Sequence, residues 1–218
     1  MAAYTLVIAN KNYSSWSMRG WLALRLAGVE FDEIVIPLYE ETTKTAIAEH
    51  SPSGLVPALK MDGVTVWDSL AIAETLAERH RDAPLWPADP NARAVARSVA
   101  AEMHSGFRAL RIEMPLNIRA SHPGHGLTPG VETDIERIAD IWRECRDRFG
   151  SGGPYLFGDA SVADAFYAPV VTRFRTYGVA FDDVCQAYAE AIFAWPAVAE
   201  WCAAAEKELW HIAGYDPA

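Results

Sequence analysis

A proline-rich segment divides this chain into two parts with different sequence patterns. Three prolines fall within the seven residues from Pro84 to Pro90, which is typical of a linker. Before this segment, short apolar runs alternate with helical patterns. After it, the apolar residues recur only at the three- and four-residue spacing of helices. The sequence therefore predicts an α/β domain over residues 1–82, a linker over 83–91 and an all-α domain over 92–218.

The first part has the order of a β-α-β unit followed by a hairpin and a last helix. Asp62-Gly63 is a strong two-residue turn signal for that hairpin. The opening β-α-β unit predicts parallel strands joined by a right-handed crossover. The predicted elements, in β-α-β-α-β-β-α order, cover residues 4–9, 16–27, 31–36, 40–50, 57–61, 64–67 and 69–81.

The second part is predicted to contain helices and no strand. Pro115 is a place where the first of these helices could bend. Ser161 and Asp164, three residues apart at the start of the third helix, fit a capping box. The predicted helices cover residues 92–119, 131–149, 161–177, 183–193 and 196–209.

Charge and cysteine content limit the possible partners and the compartment. The 19 basic and 29 acidic residues give a formal charge of −10, which argues against nucleic acid or an anionic membrane as a general partner. The sequence shows no signal-peptide pattern and no apolar run long enough for a membrane span. Cys145, Cys185 and Cys202 fall in helical patterns without redox-type spacing. We therefore expect a cytoplasmic protein with buried free thiols.

Two features of the first part point to a ligand surface. Pro57 stands at the head of an apolar strand, where a proline marks an edge or a special bend because it cannot donate to a sheet. Asp68-Ser69 stands at the start of a helix, whose free N–H groups attract negative charge. Together they predict a site for one peptide-like, partly anionic ligand.

Three segments at this spacing resemble the cytosolic glutathione transferase family over nearly the whole chain. They are Leu55-Val56-Pro57-Ala58-Leu59, Asp68-Ser69-Leu70-Ala71-Ile72 and the capping box Ser161-Val162-Ala163-Asp164. The resemblance implies the glutathione transferase fold, with a thioredoxin-like N-terminal domain and an all-helical C-terminal domain. It also implies a glutathione site on the first domain, a hydrophobic substrate site between the two domains, and a homodimer.

Within that family, the segment Ser14-Ser15-Trp16-Ser17-Met18-Arg19 resembles the zeta-class loop Ser-Ser-Cys-Ser-x-Arg. On that match Ser14 takes the place of the catalytic serine, with Ser15 as the next candidate and Tyr13 as a rival, because other classes use a tyrosine. Both serines could instead only cap a helix. Trp16 replaces the class cysteine, which argues against thiol–disulfide chemistry and puts the zeta isomerase activity in question.

The resemblance also assigns residues to glutathione. It implies a cis bond between Val56 and Pro57 that turns the main chain of Val56 toward the cysteinyl backbone of the ligand. Ser69 would bind the γ-glutamyl carboxylate at a helix N-terminus, and Asp68 would accept from the ammonium group. Plain helix capping is the alternative role for Asp68 and Ser69.

The glycyl end of glutathione and the second substrate are less constrained. Leu55 stands where many relatives place a Lys, Arg or Gln, so we expect Lys44 or His50 to meet the glycyl carboxylate. In the second part, a charged set recurs at four and three residues and predicts one helix face that either is solvated or binds an anionic electrophile. This set is His104, Arg108 and Arg111.

The function expected from these residues is transfer of the glutathione thiolate to a small electrophile. A serine hydroxyl would stabilise the thiolate, and this chemistry needs no metal. One alternative is a glutathione-dependent cis–trans isomerase, in which Arg19 and an arginine of the cleft hold substrate carboxylates. The other is a binding protein that kept the fold without turnover.

Overall fold

The computed structural model describes residues 3–215 and shows a mixed sheet followed only by helices. The strands are β1 (Tyr4–Ala9), β2 (Phe31–Ile36), β3 (Ala58–Met61) and β4 (Val64–Val66). The helices among and after them are α1 (Ser15–Ala27), α2 (Thr43–Ala48), α3 (Ser69–Arg79), α4 (Pro90–Ser105), α5 (Arg108–Glu113), α6 (Pro129–Phe149), α7 (Val162–Tyr177), α8 (Asp183–Ala194) and α9 (Pro196–Glu206).

The sheet has the strand order β2-β1-β3-β4. The β1–β2 pair is parallel, whereas the β1–β3 and β3–β4 pairs are antiparallel. Helix α1 makes the crossover between the parallel strands, as the β-α-β pattern predicts. Because β1 lies between two strands and under helices, its residues from Leu6 to Ala9 are fully buried, which explains their uninterrupted apolar sequence.

Most helix ends coincide with local sequence signals. Ser14 caps α1 and Asp68 caps α3, while Gly28 ends α1 with a positive φ of 65°. The predicted capping box at the start of α7 is confirmed. The Ser161 side chain accepts from the main-chain N–H of Asp164, and the Asp164 side chain accepts from the main-chain N–H of Ser161. These signals act through neighbouring residues only, so they can be read directly from the sequence.

The prediction of one long helix over residues 92–119 is wrong. Helix α4 ends at Ser105, and the chain then passes through Gly106 and Phe107 before α5 begins. Phe107 has a φ of 58° and a buried side chain. The main-chain N–H of Leu110 in α5 donates to Asp134 of α6 at 2.9 Å. The break thus depends on packing against α6, which helical periodicity does not reveal.

A continuous apolar core joins the two parts of the chain. Helix α1 packs on one side against α3 and on the other against α7. Trp21 of α1 contacts Trp201 of α9, with ring centroids 5.5 Å apart. The three cysteines are buried and unpaired, as expected, and burial raises their pKa values above the usual range of a thiol. No helix within residues 3–215 is long and apolar enough to cross a membrane.

Candidate active site

A cavity of about 350 Å³ lies where the loop after β1 meets the second part of the chain. The first part contributes Tyr13, Ser14, Ser15, Trp16, Leu38, Tyr39, Ile47, Leu55 and Val56 to its walls. The second part contributes Arg111, Pro115, Leu116, Arg173 and Tyr215. Both predicted serines and one of the predicted arginines therefore line a single cavity.

The two serines sit at the N-terminus of α1 and make different hydrogen bonds. The Ser14 hydroxyl donates to Ser17 Oγ at 2.8 Å and accepts from the Ser17 main-chain N–H at 3.3 Å. The Ser15 hydroxyl accepts from Arg173 Nη2 at 3.2 Å. Ser14 thus caps the helix, as the alternative reading allowed, and both hydroxyls reach the cavity wall.

Tyr13 directs its hydroxyl toward the C-terminal segment. That hydroxyl accepts from Arg119 Nη2 at 3.1 Å and donates to the Trp210 carbonyl at 3.4 Å. A phenol engaged in this way has no proton left for a thiolate. The Tyr13 proton is thus engaged by the C-terminal segment, whereas the Ser14 proton is engaged within the first turn of α1.

Val56 lies in a second wall of the cavity, and Pro57 follows it in the chain. The peptide bond between them is cis, as the resemblance implies, and Val56 lines the cavity. Pro57 is buried against α1 at Gly20, where a Cβ would lie 3.0 Å from the proline ring. A side chain at position 20 would push this loop away from α1.

Asp68 and Ser69 lie outside the lining of this cavity, and Asp68 connects to it through His104. Asp68 Oδ1 accepts from two main-chain N–H groups of α3, while Oδ2 lies 3.0 Å from His104 Nε2. The His104 ring meets Trp16 edge-on at 5.1 Å. The Ser69 hydroxyl is fully buried and has no hydrogen-bond partner among the described residues. A fully buried hydroxyl without a partner lacks the hydrogen bond that such groups nearly always make.

Opposing influences act on the pKa of His104. Burial is the main cause that lowers its pKa, and Arg19 and Arg111 act in the same direction, whereas Asp68 raises it. We expected His104 on one helix face with the predicted arginines. Instead His104 pairs with Asp68, the N-cap of α3, which is one of the residues predicted to bind glutathione.

Three arginines surround the serine loop. Arg19 is fully buried, and its three guanidinium nitrogens have no hydrogen-bond partner among the described residues. Its guanidinium carbon lies 4.7 Å from the centre of the Trp16 ring, and that of Arg111 lies 5.0 Å from it. Burial lowers the pKa of all three, that of Arg173 to about 9. Arg111 lowers the pKa of Arg19 and of Arg173 further, and Arg173 also lowers that of Arg19.

Two of these arginines differ from expectation. Arg19 is not among the described residues that line the cavity, so its charge acts from behind Trp16 and not by contact. Arg173 was not recognised in the sequence, because it lies within the apolar run of α7, where a helical pattern indicates only core. A basic residue inside such a run is the signal that could have identified it.

Arg108 and Lys44 do not take the positions expected of them. The break between α4 and α5 leaves Arg108 exposed and turns Arg111 toward Trp16, so the predicted shared face does not exist. Lys44 is exposed on α2, and His50 is hydrogen-bonded to Lys60 at 2.7 Å. The cations of the cavity wall are Arg111 and Arg173 from the second part of the chain, and neither Lys44 nor His50 is among the described lining residues.

Two family patterns match this chain. The N-terminal domain of glutathione S-transferases matches residues 13–79, and the C-terminal domain of the same family matches residues 128–204. The chain belongs to the glutathione S-transferase family. Its sheet with flanking helices, followed by a helical second part, is accordingly the glutathione transferase fold, with a thioredoxin-like first part.

Several similar proteins are named isomerases. A probable maleylacetoacetate isomerase of Caenorhabditis elegans is 39% identical over 159 residues, which cover 71% of this chain and 74% of the relative. The maleylacetoacetate isomerase of Mus musculus is 37% identical and covers 76% of each chain. A solved bacterial zeta-class maleyl pyruvate isomerase has a TM-score of 0.72 and 25% identity, covering 94% of this chain and 99% of that one.

A further solved structure carries the ligand expected at this site. A glutathione transferase homologue from Burkholderia, with bound glutathione, has a TM-score of 0.69 and 23% identity over 93% of this chain and 97% of that one. At this identity the similarity shows the fold alone. Within residues 3–215, no group of three or more His, Cys, Asp and Glu side chains is arranged to hold a metal ion.

Proposed function

We propose that this protein is a glutathione-dependent cis–trans isomerase for an unsaturated carboxylate. The observation that carries the proposal is a pair of arginines, the buried Arg173 and the half-buried Arg111, that line the same cavity as Ser14 and Ser15. A site for a neutral electrophile has no need of two cations taken out of water. The names of the zeta-class relatives support the same reaction.

Glutathione is proposed to bind along the first part of the chain. The main chain of Val56, beside the cis Pro57, pairs with the cysteinyl backbone in the manner of a strand edge. The γ-glutamyl carboxylate meets the N-terminus of α3 at the unpaired Ser69 hydroxyl, and Asp68 accepts from the ammonium group. Lys44 stays a proposed contact for the glycyl carboxylate, without support from the cavity wall.

The thiolate is proposed to form beside Ser14. A free thiol with a pKa of about 8.5 is roughly 3% ionised at pH 7. Lowering this pKa by about two units gives roughly a 25-fold gain in thiolate and requires about 2.7 kcal/mol. A hydroxyl donor to a charged acceptor contributes about 1.5–3 kcal/mol, and a helix N-terminus adds several tenths. Ser14, at the start of α1, meets this requirement.

The second substrate is proposed to place a carboxylate at Arg111, whose Nη1 has no partner among the described residues. The thiolate adds to the conjugated double bond, forming a C–S bond while the π electrons move to the carbonyl oxygen as an enolate. The carbon–carbon bond, now single, rotates. The enolate then expels the thiolate, restores the double bond in the trans form and leaves glutathione unchanged.

Conjugation is the second candidate, since it shares the first step. If the enolate is protonated at carbon and the adduct leaves, the protein is a transferase. The substitution of Trp16 for the class cysteine, at the cavity wall, favours this candidate by making the site more apolar. A homodimer and a cytoplasmic location are proposed from the family alone.

Product analysis separates these candidates. The protein would be incubated with glutathione and maleylacetoacetate or maleylpyruvate, and in parallel with a neutral chloronitrobenzene. We expect a trans product with the glutathione concentration unchanged. Stoichiometric loss of glutathione with either probe would instead show the transferase. Binding of glutathione without turnover of any probe would show a binding protein of this fold.

A further inference from the structure

The hydroxyl protons of Ser14 and Ser15 are not equally available. The Ser14 proton is directed to Ser17 Oγ, which also accepts from the Ala9 main-chain N–H at 3.0 Å. Ser14 must break this hydrogen bond before it can donate to a sulfur atom. The Ser15 oxygen, by contrast, accepts from Arg173, and none of the described residues accepts its proton. Ser15 can therefore donate into the cavity without rearrangement.

Arg173 is fixed in the orientation that this hydrogen bond needs. Its side chain is 4% exposed, on the face of α7 that packs against α1. Nε donates to the Met114 carbonyl at 2.9 Å, and Nη1 approaches the Pro169 carbonyl at 3.4 Å. With these two groups held, Nη2 has one position, against Ser15 Oγ. The planar guanidinium thus sets the rotamer of the serine.

The charge of Arg173 has no carboxylate to balance it among the described residues. The other cations near it are Arg111 and Arg19, and its remaining described neighbours are hydroxyl groups and carbonyl oxygens. A buried cation costs several kcal/mol unless it is paired, so a negative charge in the cavity gains from this arrangement. Donation from a cation also polarises the serine hydroxyl and strengthens the bond that the serine donates.

We propose that Arg173 is a positioning residue, which holds the Ser15 hydroxyl as a second hydrogen-bond donor to the glutathione thiolate. This inference rests on the proposed function, because it needs glutathione in the cavity. Ser14 and Ser15 then act on the same sulfur atom. Ser15 is the donor that is already in place, and Ser14 joins it by leaving Ser17.

The test is a double-mutant cycle on the thiol of bound glutathione. The ultraviolet absorbance of the thiolate would be titrated against pH for the wild type, Ser15→Ala, Arg173→Lys and the double variant. Arg173→Lys keeps the charge but loses the planar fork that reaches Ser15. Arg97→Lys, at an exposed arginine paired with Glu74, is the matched control for handling and folding.

The proposal has a specific expected pattern. At neutral pH we expect Ser15→Ala and Arg173→Lys each to reduce the bound thiolate about 3- to 10-fold. The double variant should fall no further than the lower of the two, and Ser15→Thr, which keeps the hydroxyl, should recover most of the signal. A merely structural role of Arg173 would lower the melting temperature without moving the titration.

Two outcomes would overturn it, and they differ from failure of the proposed function. If Ser15→Ala reduces the bound thiolate by the same factor in the wild type and in the Arg173→Lys variant, the arginine acts independently of Ser15. If neither single variant moves the titration, the donor is elsewhere. If the wild type itself shows an unshifted thiol or binds no glutathione, the proposed function fails as well.

Discussion

Ser14 has two roles at the residue scale, one structural and one proposed to be chemical. Its side-chain oxygen caps α1, and its proton is the proposed donor to the thiolate. Removing the side chain therefore affects both stability and chemistry. The choice of substitute separates these effects, because glycine caps a helix almost as well as serine but has no hydroxyl.

We predict that Ser14→Gly lowers kcat/KM strongly but lowers the free energy of unfolding only slightly. The free energy of unfolding should fall by a few tenths of a kcal/mol, against about 1 kcal/mol for Ser14→Ala. Both variants should raise the pKa of the bound thiol equally, because both lose the same hydroxyl. Urea denaturation and thiolate absorbance measure the two effects. Unchanged turnover in both variants would assign the chemistry to Ser15 alone.

Trp16 supports a second prediction at this scale. Its ring contacts Arg19, Arg111 and His104, so the indole holds two guanidinium groups where the zeta loop has a cysteine. Trp16→Leu should reduce kcat/KM for a carboxylate substrate by about 2- to 30-fold, the equivalent of roughly 0.5–2 kcal/mol of cation–π interaction. Trp16→Phe, which keeps an aromatic ring, should retain most of the wild-type kcat/KM for that substrate.

A neutral electrophile provides the control for Trp16. Since the ring is proposed to act through the arginines, Trp16→Leu should change turnover of a chloronitrobenzene much less than turnover of the carboxylate. Equal losses with both substrates would mean that Trp16 shapes the cavity for any ligand. Restoring the class residue with Trp16→Cys should behave like Trp16→Leu toward the carboxylate.

At the scale of elements, the break between α4 and α5 decides which arginine faces the cavity. An unbroken helix would place Arg108 and Arg111 on neighbouring parts of one face. The extended Gly106 and the left-handed Phe107 rotate α5 relative to α4. Arg111 is then held by the Gly106 carbonyl at 2.9 Å and also by the Met103 carbonyl, both near the end of α4.

We predict that Arg111→Gln and Arg108→Gln have different consequences. Arg111→Gln should raise KM for a carboxylate substrate about tenfold or more, because a hydrogen bond to a charged group contributes about 1.5–3 kcal/mol. Arg108→Gln, on the exposed side of α5, is the matched control and should leave KM unchanged. Steady-state kinetics with both variants test the pair. A similar rise in both would contradict the geometry of the break.

The capping box of α7 leads to a pH prediction. The Asp164 carboxylate accepts from the main-chain N–H groups of Leu156 at 3.1 Å and Ser161 at 2.9 Å, and burial raises its pKa to about 6. Because this value lies above that of an unfolded Asp, the folded protein binds the extra proton between about pH 4 and pH 6. This group therefore lowers stability as the pH rises through that window.

Asp164→Asn provides the measurement. The variant has no titrating group at this position, so its stability should decline less than that of the wild type between about pH 4 and pH 6. Urea unfolding at several pH values gives the difference. Asp164→Ala should be less stable than either by about 1–3 kcal/mol, because it leaves two buried main-chain donors unpaired. Parallel profiles for wild type and Asp164→Asn would show that Asp164 does not titrate in this range.

At the scale of the whole molecule, the segment after α9 returns to the loop between β1 and α1. The Glu208 carboxylate accepts from the main-chain N–H groups of Lys11 at 2.6 Å and Asn12 at 2.9 Å. Farther along, Tyr215 contacts Tyr13 edge-on at 5.4 Å and shares a hydrogen bond of 3.2 Å with the Tyr39 hydroxyl. The chain thus closes one side of the cavity with residues about 200 positions from the serines.

We predict that Glu208→Ala impairs turnover although it lies outside the cavity lining. Two main-chain donors two or three residues before Ser14 lose their acceptor, so the loop should become more mobile and kcat should fall several-fold. Glu206→Ala, on the exposed end of α9, is the matched control. Kinetics and amide hydrogen exchange at residues 11–14 test the link. Normal kcat with faster exchange would show that the loop needs no such support.

Much of the fold could be predicted because its signals are local. Turn residues at Asp62-Gly63, caps at the starts of α1, α3 and α7, and helical periodicity each act within a few residues, so one sequence suffices. The loop serines, Val56-Pro57 and Asp68-Ser69 were found in the same way, with the family resemblance adding their roles. These local patterns also predict a linker over residues 83–91.

The rest of the site was decided by contacts between distant parts of the chain. Arg173 joins the cavity only because α7 packs against α1, and a helical pattern cannot tell a buried cation from its apolar neighbours. The break before α5 depends on Asp134 of α6, and it places Arg111 at the cavity while Arg108 stays exposed. The sequence by itself determined most of the elements and the loop that carries the serines. Tertiary packing decided the break between α4 and α5 and selected the charges that face the cavity, since burial and long-range hydrogen bonds exist only in the folded chain.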